Sequence, residues 1–190
     1  MRIAIGLIGP IGSGKSSFAA ELRKVSDNIV KIQAYTSGGL LKETLNIWGI
    51  EPIRDNLQKL PVVMEKAFDT GALARAMKAR MQRSAAEIAI FDGIRWKADV
   101  DILRSFPQNI LIGFTAGDRI RFERLKKRNE KPGEAKLTWE EFHRQERAPT
   151  EEKILTLSDM ANVRIFNNGT MQEYRSQVAD IYAERIKPHL

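Results

Sequence analysis

A three-layer α/β fold built on a five-stranded parallel sheet is predicted by three observations. Five apolar runs of strand length recur along the chain: Ile3–Ile8, Ile29–Ala34, Ile88–Phe91, Ile110–Phe114 and Val163–Phe166. Helical stretches separate them, and strands joined through helices run parallel, with helices on both faces. The first run passes directly into Gly9-Pro10-Ile11-Gly12-Ser13-Gly14-Lys15-Ser16, which fits G-x-x-x-x-G-K-[ST] without a mismatch.

That octet lies where its chemistry requires. Phe18, Leu22 and Val25 follow at helical spacing, so strand, glycine loop and helix come in order. Gly9, Gly12 and Gly14 let consecutive N–H groups, including those of Ser13, Lys15, Ser16 and Ser17, curl around phosphate oxygens. The helix starting near Lys15 adds the positive end of its dipole. Lys15 would neutralise the β- and γ-phosphates, and the Ser16 hydroxyl would ligate Mg²⁺. These residues imply a nucleoside triphosphate, with ATP and Mg²⁺ as cofactors.

Ile29–Ala34 predicts the second strand, and a helix-rich stretch follows over about 38–86. Pro52 and Pro61 punctuate it, each suited to a first helical turn. Toward the end of the chain, Tyr174, Val178, Ile181 and Tyr182 share one helical face, most simply a core face. No repeat, low-complexity tract or dividing linker is present, so residues 1–190 are expected to form one domain. Residues 129–137 read as a mobile loop within a short lid over about 119–148. Trp48 and Trp139 are expected to pack helices, and Trp96 to cover a helix start.

Composition narrows the function classes. The absence of cysteine excludes disulfides and thiolate metal sites, and His143 and His189 lack metal-ligand spacing. No apolar run reaches membrane-span length and no leader pattern opens the chain, so a cytoplasmic protein without a membrane partner is expected. The net charge of +7 favours anionic ligands, but much of it clusters between Arg119 and Lys136. With aromatic content of only 7% and no basic–aromatic interleaving, a nucleic-acid partner is not expected.

Other residues select the reaction. A guanine-reading Asn-Lys-x-Asp is absent, which argues against a GTPase. Ile88–Phe91 ends in Asp92-Gly93-Ile94-Arg95, so a strand-end acid could reach the Mg²⁺ shell while Arg95 faces a second anion. A strand-end turn with a solvated arginine is the simpler alternative. Arg121, Arg124 and Arg128 line one helical face, either for a transferring phosphoryl group or as a solvated basic face. Thr36-Ser37-Gly38-Gly39, with Lys42 one turn further, is either an acceptor pocket or an ordinary helix cap. Arg144 and Arg147 could swing onto phosphate or pair with nearby glutamates.

Taken together these segments resemble the P-loop nucleoside and nucleotide monophosphate kinases, closest to adenylate-kinase-like and dephospho-CoA-kinase-like members. Phe91-Asp92-Gly93-Ile94-Arg95 is similar to their Asp-Gly-Phe-Pro-Arg segment, with Ile in place of Pro. Ser37-Gly38-Gly39-Leu40-Leu41-Lys42 resembles Thr-Gly-Asp-Leu-Leu-Arg, with Lys42 for Arg and Gly39 for Asp. Arg124 and Arg128 resemble the arginines that open the family's lid. Asp159–Thr170 resembles the ending of dephospho-CoA-kinase-like members, which places Asn168 beside the adenine. Asn56-Leu57-Gln58 is similar to phage-type deoxynucleoside monophosphate kinases.

The resemblance implies an ATP-dependent nucleotide kinase, monomeric or homodimeric. Lys15, Asp92, Arg95, Arg124 and Arg128 are then catalytic. Ser16 and Asp92 order the metal, and Thr36, Ser37, Gly38, Lys42, Arg95 and Arg144 hold the acceptor. Dephospho-CoA kinase is the alternative within the chemistry, and a nucleotide-dependent regulator or nucleic-acid-binding protein is the alternative outside it.

Overall fold

A computed structural model of the chain describes residues 1–68, 71–128, 134–147 and 149–190. Its strands are β1 (Ile3–Ile8), β2 (Ile32–Thr36), β3 (Ile88–Asp92), β4 (Asn109–Thr115) and β5 (Val163–Phe166). All pair in parallel, in the order β2-β3-β1-β4-β5. The connection after β1 therefore runs to one side of the sheet and the connection after β3 to the other. Ligands bind where such connections diverge, at the carboxyl ends of the strands. Here that crevice opens over β1 and β3.

Residues in a strand alternate between faces, and β1 uses this to build two cores. Ile3, Ile5 and Leu7 pack with Phe18 and Leu22 of α1 (Lys15–Val25) and with Tyr174, Val178 and Ile181 of α9 (Met171–Ile181). Ala4 and Ile8 face the other way, toward helices α4 (Ala72–Gln82), α5 (Lys97–Arg104) and α8 (Pro149–Ser158). Their contributions are Met77 and Met81, Val100 and Leu103, and Ile154 and Leu157. This is the predicted three-layer α/β architecture. The C-terminal face expected from Tyr174, Val178, Ile181 and Tyr182 packs on the first core.

The predicted helical insertion consists of α2 (Ser37–Ile47), α3 (Arg54–Ala67) and α4. Its Pro52 precedes α3, but Pro61 lies inside that helix and not in a first turn. The Pro61 ring supplies no N–H to the helical ladder. The helix nevertheless continues across it, with Leu60 buried beside the ring and Val62 and Val63 exposed. Trp48 caps the end of α2 and is 54% exposed, so it does not pack helices as expected. Trp139 does, stacking on Phe142 and meeting Phe122 edge-on.

β2 begins three residues later than the sequence suggested. Asp27 and Asn28 have positive φ and turn the chain after α1, which leaves Ile29 82% exposed. Pairing with β3 starts only at Ile32, opposite Ile88, and ends with Thr36 opposite Asp92.

The stretch expected to form a lid contains α6 (Asp118–Arg128), a short 3₁₀ turn at Glu134–Lys136, and α7 (Trp139–Glu146). Phe122, Leu125, Leu137 and Phe142 form a third core, with Ile11 of the glycine loop packed against it. The mobile loop expected over residues 129–137 falls largely outside the described residues. Of its remainder, Leu137 is buried.

Candidate active site

The glycine loop and the first turn of α1 form a backbone cradle. Gly12 and Gly14 have φ of 78° and 104°, a conformation that side chains rarely adopt. A Cβ on Gly12 would also lie 2.9 Å from the Arg121 carbonyl oxygen, and one on Gly14 would collide with Asn167 Nδ2. Both positions thus demand glycine for two independent reasons. Lys15 Nζ donates to the carbonyls of Gly9 and Pro10, at 2.6 and 2.8 Å, which folds the lysine over its own loop. Ser16 and Ser17 are exposed at the helix start, whereas Ser13 is buried.

Strand register brings the second cluster alongside. Asp92 lies opposite Leu7 of β1 on one side and Thr36 of β2 on the other. Burial raises its carboxyl pKa, and the charges of Lys15 and Arg95 oppose that rise. Asp92 brings carboxylate oxygens to the end of β3 and Ser16 a hydroxyl to the first turn of α1, the hard oxygen donors that a divalent metal would take. Gly12 and Gly14, where only glycine fits, and the start of α1 directly after them make a backbone suited to phosphate oxygens.

After Gly93 the chain turns, and the buried Asp99 carboxylate fixes the turn. Its Oδ2 accepts from the backbone N–H groups of Arg95 and Trp96 at 3.0 and 3.1 Å. Burial raises the Asp99 pKa, and the two hydrogen bonds only partly oppose this. Folded Asp99 therefore holds its proton to a higher pH than the unfolded chain does. Its contribution to stability is full at low pH and is lost as pH rises through the folded value. Denaturant titrations of wild type and Asp99→Asn across pH 3–8 check this. The wild-type advantage should shrink with rising pH, and an advantage that grows would contradict the assignment.

At the mouth of the insertion Thr36 Oγ1 accepts from Gly39 N–H at 2.9 Å, so it caps α2. Ser37 is half-buried, while Gly38 and Lys42 are exposed on the first turns of that helix. Arg144 lies on α7, in a shallow groove with Trp139, Glu140, His143 and Arg147. That groove shares no lining residue with the glycine loop.

The three arginines of α6 separate into two kinds. Arg121 is only 4% exposed, and its guanidinium is fully engaged. It pairs with Glu146 of α7 and with Asp118 at 2.7 Å, and it donates to the carbonyls of Ala116 and Ile11 at 3.0 and 3.2 Å. Burial alone would lower its pKa, but the two carboxylates outweigh burial and raise it. Arg121 is thus a tie between α6, α7 and the glycine loop, and not a member of a phosphate-facing row. Asp118, His143 and Glu146 are close enough together to suggest a metal set, but two of the three already compensate this guanidinium. Arg121→Met should destabilise the fold by roughly 3 kcal/mol, because Glu146 loses its buried partner. Urea denaturation measures it, and a change below about 0.5 kcal/mol would rule out a structural tie.

Arg124, one turn on, is half-buried and donates through Nη2 to Asn167 Oδ1 at 3.1 Å. Its Nη1 is buried with no hydrogen-bond partner among the described residues. A guanidinium stays charged even where burial lowers its pKa, as here, so this N–H is a donor whose hydrogen bond is unmet among the described residues. Arg128 ends the same helix, half-buried. Asn168 Oδ1 accepts from Gly117 N–H at 2.7 Å, which joins the loop after β5 to the turn before α6.

Sequence reasoning gave Asp99, Asn167 and Tyr174 no part in the site. Asn167 donates to the Ser13 carbonyl at 2.9 Å, and the Tyr174 hydroxyl donates to the Gly14 carbonyl at 3.0 Å. Tyr174 read simply as a core residue, and its polar end carried no signal. Asn167, a polar residue directly after a buried strand, was the one visible clue.

A family described as the AAA domain matches residues 8–143, from the end of β1 through most of α7. The chain belongs to this family of P-loop kinase-like domains. A UPF0200 protein of Hyperthermus butylicus is 24% identical over 176 residues, covering 93% of this chain and 91% of that protein. Among solved structures, TT1252 from Thermus thermophilus superposes with a TM-score of 0.62 at 21% identity, covering 96% of this chain and 97% of that one. Shikimate kinase from Bacteroides thetaiotaomicron reaches 0.59 at 12% identity, covering 95% and 97%. These likenesses share the fold described above. No helix among the described residues is long and apolar enough to cross a membrane.

Proposed function

We propose that this protein is an ATP-dependent phosphotransferase whose acceptor is a nucleoside monophosphate or a related nucleotide. The register across three strands carries the proposal. Leu7, Asp92 and Thr36 lie side by side, so the glycine loop, the Asp92–Arg95 turn and the helical insertion open into one crevice. A triphosphate hydrolase has no need of a second anion-facing turn and an insertion at that point.

The loop amides and Lys15 bind the donor phosphates, and Ser16 and Asp92 hold Mg²⁺. When bound, Mg²⁺ neutralises charge on the β- and γ-phosphate oxygens. Arg95 and Lys42 orient the acceptor phosphate, with Thr36, Ser37 and Gly38 lining its approach. Arg124 and Arg128 face the transferring group from the lid side, and Arg144 joins when the lid closes. Asn168 borders the base. An acceptor phosphate oxygen forms a bond to the γ-phosphorus as the bond to the β–γ bridging oxygen breaks, and ADP departs. That oxygen is already anionic at neutral pH, so no general base is needed. Positioning and exclusion of water then carry most of the rate.

A hydroxyl acceptor is the second reading. The raised pKa of Asp92 favours it, because a more basic carboxylate is better able to take a hydroxyl proton. Shikimate kinases share the fold, and Asp159–Thr170 resembles the ending of dephospho-CoA-kinase-like proteins. Against it, β2 ends in Tyr35-Thr36, with no acid there.

The test is product formation with Mg·ATP against a panel of ribo- and deoxyribonucleoside monophosphates, with dephospho-coenzyme A and shikimate included. Phosphorylation of one monophosphate supports the proposal. Product only from a hydroxyl acceptor supports the second reading, and silence across the panel with ATP still bound contradicts both.

A further inference from the structure

We propose that Asn167 is a positioning residue that sets the polarity of the phosphate loop and ties it to Arg124. The inference rests on reading that loop as a nucleotide site. Asn167 follows β5 directly and is 8% exposed. Its backbone N–H donates to the Thr115 carbonyl at 2.8 Å, which fixes it against β4. Both ends of its amide are then used. Nδ2 donates to the Ser13 carbonyl at 2.9 Å, and Oδ1 accepts from Arg124 Nη2 at 3.1 Å.

Peptide geometry gives the first bond its consequence. In a trans peptide the C=O and N–H point in opposite directions, and no cis bond occurs among the described residues. A Ser13 carbonyl drawn toward Asn167 sends the Gly14 N–H out of the opposite edge of the same peptide plane. Successive N–H groups turned that way make an anion-binding nest. Tyr174 holds the next carbonyl, that of Gly14, from the same side of the molecule. Its burial raises the phenol pKa, so the hydroxyl remains a donor at neutral pH.

The second bond extends the effect to the lid helix. Asn167 holds one nitrogen of the Arg124 guanidinium and leaves Nη1 for a phosphate oxygen. One amide thus sets both the loop N–H groups and the arginine that faces them. An aspartate of the same shape could receive Arg124 but could not donate to Ser13.

Calorimetry on the full chain tests this, using Mg·ATP and Mg·tripolyphosphate, which carries the phosphates without the base. Asn167→Ala should weaken both ligands by about tenfold or more, on the scale of one lost buried hydrogen bond, and by the same factor. The double variant with Arg124→Ala should weaken them less than the product of the single factors. Asn167→Leu keeps the volume without the polar ends, carries the same expectations, and serves where the alanine variant fails to fold. Unchanged tripolyphosphate binding overturns the proposal, and weakened ATP alone would make Asn167 a contact to the base. Independent factors in the double variant overturn the tie to Arg124. If the wild type binds neither ligand, the nucleotide-site reading itself falls and takes this inference with it.

Discussion

Lys15→Ala should lower phosphoryl transfer by at least ~10²–10³-fold in kcat while leaving the fold intact. The lysine stands at the first helical position after the glycine loop, where its ammonium already reaches two loop carbonyls. Those two bonds are worth little to stability, since each replaces a bond to water, and their loss should cost no more than about 1 kcal/mol. Transfer is different, because charge spreads over the γ-phosphoryl oxygens as the bond to ADP loosens, and a fixed cation meets it without reorganisation. Arginine should not rescue the variant. Its planar guanidinium is larger and cannot sit as a point charge within the same loop. Steady-state kinetics with the responding acceptor, paired with a thermal melt, separate the two effects. A Lys15→Ala protein that melts normally and keeps full kcat would remove the loop from the chemistry.

The loop was legible because its requirements are local. A strand, glycines at turning positions, a lysine and a hydroxyl must occur at fixed spacing, and all of them fall within Ile3–Ser16. The layered sheet was legible for the same reason, since buried parallel strands are continuous apolar runs. Partnership over long sequence distances was not legible. Arg121, Arg124 and Arg128 share a face by spacing alone, and nothing in that spacing shows that Glu146, 25 residues later, neutralises the first. Nor does it show that Asn167, 43 residues later, receives the second. The Thr36–Lys42 segment combines a cap with a candidate pocket, because a hydroxyl that caps a helix still leaves the glycines and lysine beyond it exposed. The start of β2 was misplaced because an apolar residue, Ile29, occupies a turn whose conformation is set by Asp27 and Asn28.

Arg95→Ala should be the most damaging change on the acceptor side. Its backbone is held by a buried carboxylate, so the side chain leaves from a rigid base beside Asp92. Such placement restricts where the guanidinium reaches, and restricted placement is what raises effective concentration at a reacting centre. The expected loss in kcat/KM for the acceptor is about 10²–10³-fold, with most of it in kcat. Mg·ATP affinity should fall much less, because Lys15, the loop amides and Arg124 remain. Arg95→Lys should recover only part of the loss, since an ammonium keeps the charge but not the planar fork that meets two phosphate oxygens at once. Asp99→Ala offers a second route to the same residue. It frees the turn without removing the guanidinium, and should lower kcat in the same direction by a smaller factor, about tenfold on the scale of a lost buried hydrogen bond. Measuring the three variants for acceptor kinetics and for ATP binding decides the matter. If Arg95→Ala weakens ATP binding as much as it lowers acceptor turnover, Arg95 serves the donor, and the acceptor phosphate must be held by Lys42 and the first turn of α2.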